Sequence, residues 1–396
     1  MKTSHLKAGL ILLFVVLSLG FILIGYKKET PPSYELTAKE KEFLSVPNAV
    51  TCRLKEIKIS KIDIPKNQAS YIIGYMERHN RRYVKQAQIT LANRPFRIIL
   101  GFFPEREFYV YDIEKNFMFD NSSTSYNLHS YHNIDDELFE FMLIDGDTKI
   151  AARPYQGPLG TIKLGKGGRQ LEKIGFRGSL FMKGGISAPI ETMQGNWPGP
   201  VEQCRIPVGD YTLGMFPCLH VTYDNLYFSI SNYSKARRRY SEKNIIYPIQ
   251  VRQDKPYVLD FSNEPKIIFS RPSMSKTTFS RGDEIRFSAS LIDPKLDIRI
   301  DSLHDRAVKV DREYIAGGKL TRTKVTKSLN PNIVIARADG EVITEDVFSS
   351  YGYTSWRVPD DLEINGDAEE FTVTVTYETQ KLYGKVSAQR KVKIRK

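Results

Sequence analysis

After Leu44 the chain has almost no stretch in which apolar residues recur at the 3.6-residue spacing of a helix. It breaks instead into short β-rich runs separated by turn residues. Ile57–Ile64, Tyr71–Met76, Arg97–Phe103, Phe108–Ile113, Phe139–Ile144 and Lys149–Tyr155 are such runs, and they are followed by Leu219–Ile230, Tyr247–Arg252, Tyr257–Phe261 and Lys266–Ser270. Phe371-Thr372-Val373-Thr374-Val375-Thr376-Tyr377 alternates large apolar residues with Thr, the pattern of a half-buried antiparallel strand. Asp145-Gly146-Asp147-Thr148 joins two of the runs as a hairpin turn. Nine glycines between Gly157 and Gly185 suit turns and bulges in a sheet and are incompatible with helices. The expected fold is mainly β.

The one helical signal in the soluble part is Thr37, a capping residue, ahead of Ala38-Lys39-Glu40-Lys41-Glu42-Phe43-Leu44. Upstream, Lys2 and Lys7 precede an uncharged stretch from Ala8 to Tyr26, closed by Lys27, Lys28 and Glu29. About 19 residues at ~1.5 Å each cross most of a ~30 Å hydrocarbon core, so the stretch is expected to be an N-terminal transmembrane helix. The run exceeds the ~7–15 residues of a signal-peptide core, which favours an uncleaved anchor. Ser18-Leu19-Gly20 keeps open the alternative of a protein secreted after signal cleavage. No Cys follows the run until Cys52, which excludes a bacterial lipoprotein. Either route exports the bulk of the chain to a periplasmic or extracellular location.

The composition of 41% hydrophobic and 26% charged residues excludes disordered and collagen-like chains, and 396 residues suffice for two or three domains. The formal charge of +12 is diffuse and favours anionic neighbours such as acidic envelope polymers. Residues 1–28 are expected to be the membrane segment, with 29–50 a stalk, 51–197 a β-rich domain, 198–263 a second β region and 264–396 a third.

Ile206-Pro207-Val208-Gly209-Asp210-Tyr211-Thr212-Leu213 resembles the hairpin of prealbumin-like or carboxypeptidase regulatory-like β-sandwich modules of bacterial exported proteins. Phe279-Ser280-Arg281-Gly282-Asp283-Glu284-Ile285-Arg286-Phe287, together with the Tyr377-ending strand, resembles a bacterial Ig-like domain; it lacks the Cys pair of the antibody type, and Trp356 is its expected core aromatic. These resemblances imply antiparallel β-sandwich-like domains and no particular activity.

Candidate chemistry is sparse. His129, His132, Asp135 and Asp136 form the best metal-like cluster, although a structural or solvated loop, which gathers such residues by chance, is the favoured reading. Asp145-Gly146-Asp147 lacks the later ligands of a calcium loop. Cys204-Arg205 with His220 resembles the Cys-Arg end of L,D-transpeptidase sites, but Val201-Glu202-Gln203 stands where that family has Ser-His-Gly. Cys204 and Cys218 stand fourteen residues apart, and a disulfide between them would contribute roughly 3 kcal/mol; three reduced cysteines, Cys52 included, are the alternative. Ser273-Met-Ser-Lys276 meets Ser-x-x-Lys outside any helix start, and Arg281-Gly282-Asp283 coincides with a turn. Arg78, Arg81 and Arg82, and Arg237, Arg238 and Arg239 beside Tyr240, are candidate anion-binding clusters, with solvated loops as the plain alternative.

The function expected from these features is that of a membrane-anchored, extracytoplasmic binding or structural protein. It is expected to contact the membrane through residues 8–26 and to meet an anionic envelope polymer or a protein partner, with no cofactor and no nucleic acid. The competing expectation is an envelope enzyme, either a Cys-dependent peptidoglycan-modifying enzyme or a metal-assisted hydrolase.

Overall fold

The computed structural model describes residues 34–62, 82–100, 108–112, 117–119, 130–135, 137–183, 186–190, 192–194, 197–214, 219–233, 247–316, 319–349 and 352–396, with positions 74 and 77. Among the described residues no helix is long and apolar enough to cross a membrane; Ala8–Tyr26 lies outside them.

The helix α1 (Ala38–Leu44) forms where its cap predicts it. Thr37 and Glu40 make a capping box, with Glu40 N donating to Thr37 Oγ1 at 3.3 Å and Thr37 N to Glu40 Oε2 at 2.7 Å. The stretch expected as a stalk is docked along this part of its length. Phe43 packs with Ile144 and Ala151 under the Arg153 guanidinium, 4.2 Å from its ring, and Glu40 Oε1 accepts the Asp145 amide at 2.9 Å.

Two sheets follow. Strands β1 (Val50–Arg53), β2 (Lys55–Lys58), β3 (Tyr83–Leu91), β4 (Arg94–Leu100), β5 (Phe108–Asp112) and β6 (Phe117–Phe119) precede β7 (His132–Ile134), β8 (Glu137–Ile144) and β9 (Lys149–Pro154). Their orders are β1-β9-β8-β7 and β2-β3-β4-β5-β6, all antiparallel. Ile89, Phe96, Ile98 and Val110 from one sheet share a core with Phe139, Phe141 and Ile150 from the other. The predicted turn at Asp145–Thr148 connects β8 to β9, with Asp145, Gly146 and Asp147 all at positive φ.

The next strands are β10 (Leu159–Leu164), β11 (Ile174–Phe181), β12 (Ser187–Ile190), β13 (Thr192–Gln194), β14 (Trp197–Gly199), β15 (Gln203–Pro207) and β16 (Gly209–Tyr211). After them come β17 (Leu219–Tyr223), β18 (Leu226–Asn232), β19 (Ile249–Val251) and β20 (Tyr257–Leu259). The glycine-rich stretch supplies the turn between β10 and β11, where Gly167 and Gly168 take positive φ. It also allows a close approach at Gly160, where a Cβ would stand 2.3 Å from the Arg252 carbonyl oxygen. Ile206–Leu213 departs from the hairpin expected of it, because β15 pairs with β10 while β16 pairs with β19. The run Leu219–Ile230, in turn, is two strands folded back at Asp224-Asn225.

The last strands are β21 (Lys266–Arg271), β22 (Thr278–Ser280), β23 (Glu284–Asp293), β24 (Ile298–Ala316), β25 (Lys319–Ser328), β26 (Asn332–Ala336), β27 (Val342–Val347), β28 (Tyr353–Arg357), β29 (Ala368–Glu378) and β30 (Lys385–Arg395). In β29 the alternation holds: Phe371, Val373 and Val375 are fully buried and Tyr377 nearly so, with the threonines between them half-exposed. Trp356 is buried against Phe371.

Among the described residues the largest sheet runs β12-β11-β17-β18-β24-β23-β21, with β25 on β24 and β28 on β23. It crosses the 263/264 boundary through the β18–β24 ladder. One hydrophobic cluster likewise runs from Ile162 to Ile394, and Arg169 ties the two parts further by donating to the carbonyls of Phe261 and Leu382. Parallel pairing enters only at β10–β20 and β22–β30 among the described residues.

Candidate functional site: the polar face of the central sheet

Period-2 alternation gives the large sheet one apolar and one polar face. Phe176 on β11, Leu219, Val221 and Tyr223 on β17, Leu226, Phe228 and Ile230 on β18, and Ile298 and Ile300 on β24 all join the core. Their neighbours Arg177, His220, Thr222, Tyr227, Ser229, Ser231, Arg299 and Asp301 therefore belong to the other face. The registers set Arg177 opposite His220, His220 opposite Ser229, and Ser229 opposite Asp301. A register shift between Ser229 and Tyr227, with Ser302 at φ +52°, then brings His304 opposite Tyr227.

A row of cationic and aromatic side chains results. The His220 and Tyr227 rings are stacked, 5.6 Å between centroids and 10° between planes. His304 lies 6.3 Å from Tyr227 at 43°, and the Arg306 guanidinium carbon sits 4.4 Å from the same ring. Burial is the main reason that both imidazoles titrate below the usual histidine range. The charges of Arg177 and Arg306 add to this at His220; at His304 Arg306 adds to it and a backbone hydrogen bond at Thr326 offsets it in part. Both shifts favour the neutral imidazole. Asp301, the acidic member of the face, is held by Arg299 Nε at 2.9 Å and Ser231 Oγ at 3.0 Å.

Beyond Asp305 β24 leaves β18 and pairs only with β25 among the described residues. The paired stretch from Lys309–Thr326 to Ala316–Lys319 is a two-stranded ribbon roughly 24 Å long. A cleft of about 710 Å³ opens at its foot, lined by Tyr227, His304 and Arg306 from the sheet and by Val310, Arg312 and Val325 from the ribbon. Among the described residues Asp311 is the only carboxylate in that lining, and neither Arg306 nor Arg312 has an ion-pair partner. The Tyr227 hydroxyl likewise has no hydrogen-bond partner among them. A smaller cavity of about 240 Å³, lined by Arg299, Asp301 and Tyr377, adjoins the cleft through His304, Ser328 and Asn330.

The geometry suits binding better than chemistry. His220 and His304 flank the strand that carries Tyr227, each ring lying against the tyrosine at 5.6 and 6.3 Å, and among the described residues neither belongs to a group of three or more possible metal ligands. Ser229 stands between His220 and Asp301, where a catalytic triad would need the imidazole, and its hydroxyl donates to the Asp301 carbonyl at 3.3 Å.

The residues named from sequence are dispersed. His132 is buried in β7 with its ring edge-on to Phe141 at 5.2 Å, and burial lowers its pKa to about 4. Asp135 pairs instead with Arg94 at 2.8 Å. His129 and Asp136 lie outside the described residues, and among the described ones no His, Cys, Asp and Glu side chains gather as a metal site. Arg82 is exposed; Arg78, Arg81, Arg237, Arg238 and Arg239 lie outside the described residues, as does Cys218 and with it the proposed pairing with Cys204. Cys204 packs toward the core from β15, whereas His220 is on the opposite face of another sheet, so the transpeptidase-like pair is not assembled. Ser273 and Lys276 occupy an exposed turn. Gly282, at φ +77°, makes Arg281–Asp283 a tight turn in which Asp283 accepts the Ser280 amide.

Tyr227, His304 and Arg306 had no sequence signal beyond their place in alternating strands. No protein-family model matches the chain, and no curated protein matches it.

Proposed function

We propose that this protein is a membrane-anchored, extracytoplasmic binding module that captures an anionic partner on the polar face of its central sheet and performs no chemistry on it. Ala8–Tyr26 is the anchor in this proposal, and the β units behind it are sandwich-like domains, the last of them Ig-like. The Tyr211 hydroxyl, donating to the Pro207 carbonyl four residues upstream at 2.6 Å, supports the sandwich assignment because it has the form of a tyrosine corner. The core shared between β23 or β28 and the sheet containing β29 supports the Ig-like one.

The observation that carries the function is the cleft beside Tyr227, whose two guanidinium groups, on Arg306 and Arg312, have no carboxylate partner among the described residues. Planar cationic forks suit carboxylate, sulfate and phosphate oxygens. Both arginines are exposed, so Arg306→Gln with Arg312→Gln should leave folding intact. The full-length protein is expected to be retained on immobilised dextran sulfate or polyphosphate, and the double variant to bind about tenfold or more weakly with an unchanged melting temperature. Equal retention of the two proteins would remove the cleft from the function.

A further inference from the structure

The ends of the cationic row are far apart. Arg177 on β11 and Arg306 on β24 are separated by three strand spacings, ~14 Å, and Arg312 extends the row onto the ribbon. A row of three cationic forks spread over β11, β24 and the ribbon matches an extended ligand with repeated anionic groups better than a single phosphate or carboxylate.

The middle of the row decides what kind of chain this is. Single-stranded nucleic acid is held without sequence preference by bases stacking on open aromatic faces. Tyr227 offers no such face: His220, from the β17 side, is stacked on it, and Arg306, from the β24 side, lies over it at 4.4 Å. Its available group is the phenolic hydroxyl, which is without a protein partner among the described residues. The surrounding lining is made of short hydrogen-bonding groups, Thr326, Ser328 and Asn330, with Asp311 among them. A carboxylate in that position accepts hydrogen bonds from hydroxyl groups and repels the dense charge of a phosphodiester backbone. The site therefore reads hydroxyl-rich edges between widely spaced acids.

From this the geometry points to an acidic polysaccharide, carboxylated or sulfated, lying across β11, β17, β18 and β24 with its acid groups on the arginines and its hydroxyls on Tyr227 and the cleft wall. This inference rests on the anion-binding function proposed above and names the ligand class for the same face.

Calorimetric titration of the full-length protein in detergent micelles with polygalacturonate, dextran sulfate and single-stranded poly(U) RNA tests it at physiological ionic strength. At least one of the two glycans is expected to bind about tenfold or more tightly than the RNA, and the preference between them identifies the acid group. Tyr227→Phe, which keeps the ring, should weaken glycan binding severalfold with an unchanged slope of log affinity against log salt. Arg306→Gln should lower that slope by about one. RNA binding as tightly as the glycans, or glycan affinity indifferent to Tyr227→Phe, would overturn the inference while leaving an anion-binding face in place. Binding of none of the three by the unaltered protein would bring down the anion-binding function and this inference with it.

Discussion

The β unit before Pro154 and the body after Leu159 are built of the same kind of strand, yet they are held together differently. The first has a core of its own: two antiparallel sheets share it, from Leu54 to Ala152, α1 seals the outside of the β8–β9 hairpin, and the unit meets the body where Tyr131 donates its amide to the Ser187 carbonyl. The second takes in the end of the region expected at 51–197 and the whole of those expected at 198–263 and 264–396. Its hydrogen-bonded ladder and its core both continue through the 263/264 boundary, from β18 into β24 and from Phe261 to Ile285 and Phe287. The boundary of a folding unit lies where ladders and buried contacts stop, and a change in turn density or strand regularity does not locate it.

Val375→Asp gives the largest test of this contrast. The position is fully buried in β29, and an unpaired carboxylate there costs about 4 kcal/mol or more. Hydrogen-exchange mass spectrometry should show β10–β20 and β21–β30 losing protection together, while β3 and β4 keep theirs. Loss confined to residues after 264 would mean that the body is two units after all.

The pH response should separate the two parts next. His132 is buried and neutral, with a folded pKa of about 4 against an ordinary 6.5. The unfolded chain therefore binds the proton first as pH falls, and the N-terminal unit loses stability from about pH 6.5 downward, the full effect being present below about pH 4. That difference in pKa corresponds to roughly 3 kcal/mol. His220 and His304 shift in the same direction, so the body should follow with the same sign. Melting curves between these pH values should show the steeper fall in the N-terminal transition, and His132→Phe should flatten it. A slope unchanged by that substitution would place the titrating group elsewhere.

The smallest expected effect is a gain. Ala92 and Asn93 turn the β3–β4 hairpin at φ +46° and +59°, a left-handed conformation that strains Ala. Ala92→Gly should raise the N-terminal transition by about 0.5–1 kcal/mol and leave the body unmoved, as differential scanning calorimetry would show. A shift of both transitions would imply that the two parts unfold as one.

Much of the local structure was legible. The Thr37 cap, the Asp145–Thr148 turn and the inward residues of β29 follow from residue chemistry over a few positions, and the structure has each of them. His132 shows where local reading fails. Two histidines and two aspartates within eight residues suggest a ligand loop, but His132 and Ile134 alternate with Asn133 as buried strand positions. Three residues are too few for that period to stand out from chance.

The chain itself determined that it would be β-rich, where several turns fall and which side chains of a regular strand point inward, because alternation and turn preference act between neighbours in sequence. The candidate binding face was decided only by tertiary structure. Arg177, His220, Tyr227 and Arg306 come from four strands, and the last is reached through a ladder that joins Leu226–Asn232 to a strand beginning at Ile298. Period-2 alternation says which face of its own strand a residue occupies. It carries no information about which strand lies alongside, or about the register shift at Ser302 that sets His304 against Tyr227, since pairing is selected by burial and cross-strand packing over the whole sheet.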